Sequence, residues 1–88
     1  MKIKPDYILR DIAGDYVLVP TGEAVAKYNG LFAVTEVGAR IIELFDECES
    51  EEEIAKRIVE EYETDLETAL KDVSEFVASL REQEILED

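Results

Sequence analysis

The sequence predicts an α+β fold of winged-helix-like order, an N-terminal antiparallel sheet of three to four strands followed by three helices. Three observations predict it. Strand-forming residues dominate the chain up to Val34, turn signals punctuate them, and beyond Val34 the apolar period changes from two to about 3.6. The 88 residues suffice for one small core, so a single domain is expected over 1–88.

Tyr7 to Ile12 and Tyr16 to Val19 flank Ala13-Gly14-Asp15, a connection of hairpin length that contains glycine. Pro20-Thr21-Gly22 stops the second strand, because proline cannot donate to a ladder and glycine frees the backbone to turn. Ala24 to Tyr28 and Leu31 to Val34 flank Asn29-Gly30, the pair that best tolerates positive φ at both centres of a type I′ turn, so a second hairpin is expected there. Thr35 then caps a first helix with Val37, Ile41, Leu44 and Phe45 inward, ending near Asp46-Glu47. Ser50-Glu51-Glu52-Glu53 is a capping box. It opens a second helix with Ile54, Ile58 and Tyr62 on one face and Lys56, Arg57, Glu60 and Glu61 on the other. Thr64-Asp65-Leu66-Glu67 repeats the box and opens a longer third helix, whose stripe is Leu66, Leu70, Val73, Val77 and Leu80. Ile85 and Leu86 are expected to fold back on the core.

The net charge of −14 is unevenly placed. Up to Val34 four basic residues balance four acidic ones, and from Thr35 onward five basic residues face nineteen acidic ones. Such a surface repels phosphate, so nucleic acid and anionic membrane are excluded as partners, whereas basic proteins or peptides are compatible. No apolar run approaches the ~18 residues of a membrane span, and Met1-Lys2-Ile3-Lys4-Pro5 lacks the apolar stretch of a secretory signal, so a cytoplasmic protein is expected.

Chemistry is poorly supplied. With one cysteine and no histidine, neither an internal disulfide nor a zinc cluster is possible. Cys48 lies between Glu47 and Glu49, whose charges disfavour its thiolate. The acidic run from Asp46 to Glu53 lacks the alternating pattern of a calcium loop, and the scattered glycines form no phosphate-binding motif. Thr68, Ser74 and Ser79 have no histidine to act as base. No catalytic residue, metal or cofactor is therefore expected, and the chain does not read as an enzyme.

Two features exceed what a plain core needs. Leu31-Phe32-Ala33-Val34 places apolar side chains on both faces of a strand, where a one-sided sheet alternates. The third helix carries Ala69 and Phe76 beside its main stripe, which widens its apolar arc. A strand and a helix with spare apolar surface can wall a groove suited to an extended peptide, which adds a strand at the sheet edge. The same surface is also compatible with ordinary core or with a homodimer seam.

The succession Tyr16 to Ala24, then Tyr28-Asn29-Gly30-Leu31, then Thr35 to Leu44 with Thr35, Gly38, Ile41 and Leu44 spaced by three, resembles the PqqD family, named after the small protein of pyrroloquinoline quinone biosynthesis. Ser50 to Ile54 and the terminal helix agree with it, so the resemblance spans nearly the whole chain. It implies a winged-helix-like recognition element for ribosomally made, post-translationally modified peptides. Such an element binds a precursor's leader as an added strand between its third strand and third helix. It then presents the leader to a modifying enzyme, often a radical S-adenosylmethionine protein. Carried onto this chain, Leu31, Phe32, Ala33 and Val34 would supply the edge, and Ala69, Val73, Phe76, Val77 and Leu80 would line the groove. Relative to shorter members, Ala24 to Gly30 forms an extra arm, and a strand there would compete with the leader for the same edge. The rival readings are an acidic homo-oligomer that pairs its own edge strands and a winged-helix regulator, the latter opposed by the lack of a basic third helix.

Overall fold

The computed structural model describes residues 1–27 and 32–87. The chain begins and ends on one short ladder, in which β1 (Lys2–Ile3) pairs antiparallel with β5 (Leu86–Glu87). The ladder is extended by a hydrogen bond from Lys4 N–H to Ile85 O at 2.9 Å. The expected return of Ile85 and Leu86 to the core is observed, at 1% and 6% exposure. Their pairing with the N-terminus was not legible, because two-residue strands carry no periodicity.

The main sheet has the order β2-β3-β4. Strands β2 (Tyr7–Ile12) and β3 (Asp15–Pro20) form an antiparallel hairpin running from the pair Tyr7↔Pro20 to the pair Ile12↔Asp15. The connection is Ala13-Gly14, with φ of 54° and 89°. Positive φ at both positions suits the twist of a two-residue hairpin loop, and Asp11 Oδ1 accepts from Gly14 N–H at 3.0 Å. Strand β4 (Phe32–Val34) pairs antiparallel with β3, Phe32 opposite Leu18, Ala33 opposite Val17 and Val34 opposite Tyr16. Leu18, fully buried, anchors the inner face, and Tyr7 meets Phe32 edge-on at 6.4 Å between ring centroids.

The expected strand over Ala24 to Tyr28 is corrected. Ala24–Lys27 is a short helix, α1. Gly22 at φ 53° turns the chain, Ala24 N–H donates to Thr21 O and Val25 N–H to Gly22 O, and Ala24 is buried at 3% exposure. Thr21 is itself held by Asp6, whose carbonyl accepts from the Thr21 backbone N–H and hydroxyl. A helical start made by these anchors, continued by alanines, outweighs the weak strand preference of Val25. The Asn29-Gly30 turn and Leu31 lie outside the described residues. The sheet edge that a 24–28 strand would have filled is therefore not filled by those residues of the arm that are described.

Three helices follow: α2 (Glu36–Leu44), α3 (Glu51–Glu61) and α4 (Leu66–Glu82). Each has a side-chain cap: Thr35 Oγ1 accepts from Gly38 N–H, Ser50 Oγ from Glu53 N–H, and Asp65 Oδ1 from Thr68 N–H. In the Ser50 box the reciprocal carboxylate reaches one residue further back than expected, Glu53 accepting from Glu49 N–H at 3.4 Å. In the Thr64 box, Asp65 rather than Thr64 is the cap; the inward stripe of α4 keeps Val73, Val77 and Leu80 as expected, with Ala69 buried and Leu66 45% exposed. Ala69, Val73, Val77 and Leu80 meet Ile41 and Leu44 of α2, Ile54 and Ile58 of α3, and Ile85 in one cluster that also includes Leu18. Fully burying each large aliphatic chain contributes about 1.5–3 kcal/mol.

Candidate functional site

Strand β4 is a terminal strand of the sheet, paired with β3 on one side and with no strand on the other among the described residues. Ala33, at its centre, is exposed. The strand runs directly into Thr35, the cap of α2, so sheet edge and helix start are adjacent by chain connectivity alone.

Beyond that cap lies a cleft of about 530 Å³ between the first turns of α2 and the middle of α4, lined by Thr35, Val37, Gly38, Ile41, Asp72, Glu75 and Phe76. Gly38 makes it possible. A Cβ there would lie 3.1 Å from Cε1 and 3.3 Å from Cζ of Phe76, so the ring rests directly on the backbone of α2. Glycine within a helix costs roughly 0.5–1 kcal/mol relative to alanine, and here that cost accompanies a close approach of ring to backbone. The Thr35 hydroxyl, by accepting from Gly38 N–H, fixes the same turn. Phe76 is half-buried, so its ring forms part of the wall rather than of the closed core.

The residues expected to line a groove divide into three groups. Phe32, Ala33 and Val34 form the edge strand as expected, and Leu31 lies outside the described residues. Phe76 reaches the cleft. Ala69, Val73, Val77 and Leu80 are not among the residues that line it: they lie on the inward stripe of α4, behind the wall. Helical phase is the reason, since 69, 73, 77 and 80 share the inward stripe while 72, 75 and 76 face the cleft. The second wall, formed by Val37, Gly38 and Ile41 of α2, was missed. The available signal was Gly38 itself, a glycine three residues past a cap inside an otherwise strong helix.

The arginines of α2 and α3 are engaged with carboxylates outside the cleft. Arg40 makes a two-pronged contact with Glu61, at 2.7 and 2.9 Å, and a longer one with Glu43, tying α2 to α3. The Glu61 hydrogen bond holds the Arg40 guanidinium above, and the Glu61 carboxylate below, their ordinary pKa values. Arg57 spans Glu47 and Glu61. Asp72 and Glu75, by contrast, make no ion pair or hydrogen bond among the described residues.

Cys48 is buried, and burial is the chief cause that pushes its thiol pKa up, with Glu53 and Glu47 adding to it. Of the two flanking glutamates read from the sequence, only Glu47 contributes, and less than burial does. Among the described residues no group of three or more His, Cys, Asp or Glu side chains is placed to hold a metal ion, and no helix is long and apolar enough to cross a membrane.

The fold has counterparts in known proteins. The chain is 31% identical to a solved structure named "TbiB1 in Complex with the TbiA(beta) Leader Peptide", with a TM-score of 0.77 over 99% of this chain and 95% of that one. A second, "Lasso peptide synthetase B1 complexed with the leader peptide", shares the fold at 19% identity and a TM-score of 0.76, over 96% of this chain and 93% of that one. No curated protein matches the chain. The model of the family described as "Coenzyme PQQ synthesis protein D (PqqD)" matches residues 8–86, the sheet, the three helices and the start of β5 alike, and the chain therefore belongs to the PqqD family.

Proposed function

We propose that this protein binds the leader segment of a ribosomally made precursor peptide as a strand added to β4, and presents it to a modifying enzyme on another chain. One observation carries the reading. The terminal strand of the sheet leads directly into Thr35 at the mouth of a cleft walled by Val37, Gly38, Ile41 and Phe76, in a chain 31% identical over nearly its whole length to a structure solved with a leader peptide. Strand addition supplies main-chain hydrogen bonds worth about 0.5–1.5 kcal/mol each, too uniform to select a sequence, so selection falls to side chains entering the cleft. Phe32, Ala33 and Val34 supply the edge and Phe76 the principal anchor. Val37, Gly38 and Ile41 complete the walls, with the core residues Ala69, Val73, Val77 and Leu80 behind them.

The protein's contribution is to raise the local concentration of substrate, with no bond made or broken on this chain. The family resemblance makes a radical S-adenosylmethionine protein the first partner to test, and a cytoplasmic setting accords with such a partner. The TbiA(beta) leader is a suitable starting probe. Titration calorimetry with the full chain is expected to give saturable binding, and the backbone amide of Ala33 or Val34 is expected to gain protection from hydrogen exchange. Binding without protection on β4 overturns strand addition, and absence of binding to this or any cognate leader overturns the reading.

A homo-oligomer that joins its own β4 edges is the rival. Light scattering distinguishes the two, since leader binding predicts a monomer with or without peptide, and the rival predicts a larger species that the peptide dissociates.

A further inference from the structure

We infer that the leader accepted by this cleft carries a lysine or arginine two residues from the apolar side chain that meets Phe76, the cation being held by Asp72 and Glu75. The inference rests on the leader-binding reading and specifies its chemistry.

The cleft is apolar on the α2 side, with Val37, Gly38 and Ile41, and bears two carboxylates on the α4 side. Asp72 lies one turn before Phe76 and three residues before Glu75, so the three side chains are surface neighbours on one face of α4. Two carboxylates so placed repel one another, and no cation within 4.0 Å relieves them among the described residues. Lys71, one turn before Glu75, makes no ion pair with it. Arg40 and Arg57 are committed to Glu43, Glu47 and Glu61. An occupant of the cleft therefore meets apolar surface and uncompensated negative charge together.

The spacing fixes where the charge must sit on the peptide. Along a helix, four residues advance about 6 Å. Along a strand, side chains on the same face recur every second residue, an advance of about 6.6 Å. A leader strand lying along α4 with an apolar side chain at Phe76 places the side chain two residues away level with Asp72. An arginine or lysine suits that position further, because its stem covers apolar surface while its head reaches the carboxylates.

The test uses the full chain to select from random twelve-residue peptides displayed on phage, followed by calorimetry with the best peptides. The expected result is enrichment of an apolar residue with Lys or Arg two positions away. The double variant Asp72→Asn with Glu75→Gln, both exposed positions, should weaken those peptides roughly two- to thirtyfold, the range for two exposed charge pairs. Replacing the peptide's cation with norleucine should abolish that difference. Peptides that depend on Phe76 but show no basic preference, with affinity unchanged in the double variant, overturn this inference and leave leader binding standing. Failure to select any peptide whose binding is lost in Phe76→Ala overturns both.

Discussion

Phe76 and Val73 lie one turn apart on α4, and the structure gives them opposite duties. Val73 is fully buried against the core, whereas Phe76 is half-buried and faces the cleft. Truncating a fully buried phenylalanine costs about 3–5 kcal/mol, so Phe76→Ala should cost roughly half that in stability. At 0.05–0.15 kcal/mol per residue a chain of this length has about 4–13 kcal/mol in hand, so the variant folds. Its loss should appear in binding. An aromatic anchor at the centre of a peptide contact is worth about 2 kcal/mol or more, which is close to a thirtyfold weaker Kd. Val73→Ala removes two buried carbons at about 0.8 kcal/mol each and leaves a cavity, so it should cost roughly 2–3 kcal/mol of stability. Its folded fraction should bind as tightly as the wild type. Urea unfolding and calorimetry with one leader peptide measure both quantities on both variants. If Phe76→Ala folds and binds normally, or Val73→Ala folds and binds as poorly as expected for Phe76→Ala, the assignment of cleft wall and core is wrong.

Gly38→Ala should leave stability within about 1 kcal/mol of wild type, helix propensity offsetting the crowded ring. Displacing Phe76 by a few tenths of an ångström should weaken leader binding by about fivefold in the same titration. Cys48, buried and with its thiol pKa raised, should react with a neutral thiol reagent only as fast as the chain opens, so urea should accelerate labelling in step with unfolding. Asp65, the cap of α4, has its pKa held below the ordinary 3.8 by the Thr68 N–H it accepts from, so its contribution is present above that value and lost as pH falls through the lowered one. Asp65→Asn keeps a good cap but cannot titrate, so urea midpoints should fall less steeply below about pH 4 than in the wild type.

The helical half was legible because each of its signals is local. Thr35 and Ser50 were read as caps by residue type and are the observed caps, and Ile41, Leu44, Ile54 and Ile58 follow a helical period and are buried. Errors arose where two local signals competed. Thr64 and Asp65 are both good caps, and Asp65 is the one used; the expected stripe holds at Val73, Val77 and Leu80, while Ala69 takes the inward place expected of Leu66, and the groove role of Ala69, Val73, Val77 and Leu80 was carried over from the resemblance. Ala24 to Lys27 reads equally as a short strand or a helical turn. The carbonyls of Thr21 and Gly22 that start the helix are positioned by contacts to Asp6, fifteen residues away from Thr21. The cleft needed tertiary information of the same kind. Nothing in the order of residues places the Gly38 backbone under the ring of Phe76, though the glycine marks the spot once the helices are packed.

A terminal strand invites pairing with another copy of itself, and small proteins that keep one must discourage it. Strand β4 is only three residues long, which limits the gain from self-pairing. The charge works in the same direction. Two copies joined edge to edge would bring together two bodies of net charge −14, most of it on the helical side to which the cleft belongs. A peptide strand bearing a cation meets the opposite situation at the same place, with Asp72 and Glu75 unpaired. Specificity is a difference between affinities, and on the proposed reading one set of carboxylates acts on both terms, weakening the copy that must be refused and strengthening the partner that must be accepted. That reading would give the acidic surface, which alone signals little beyond solubility, a role at the place where edge and cleft adjoin.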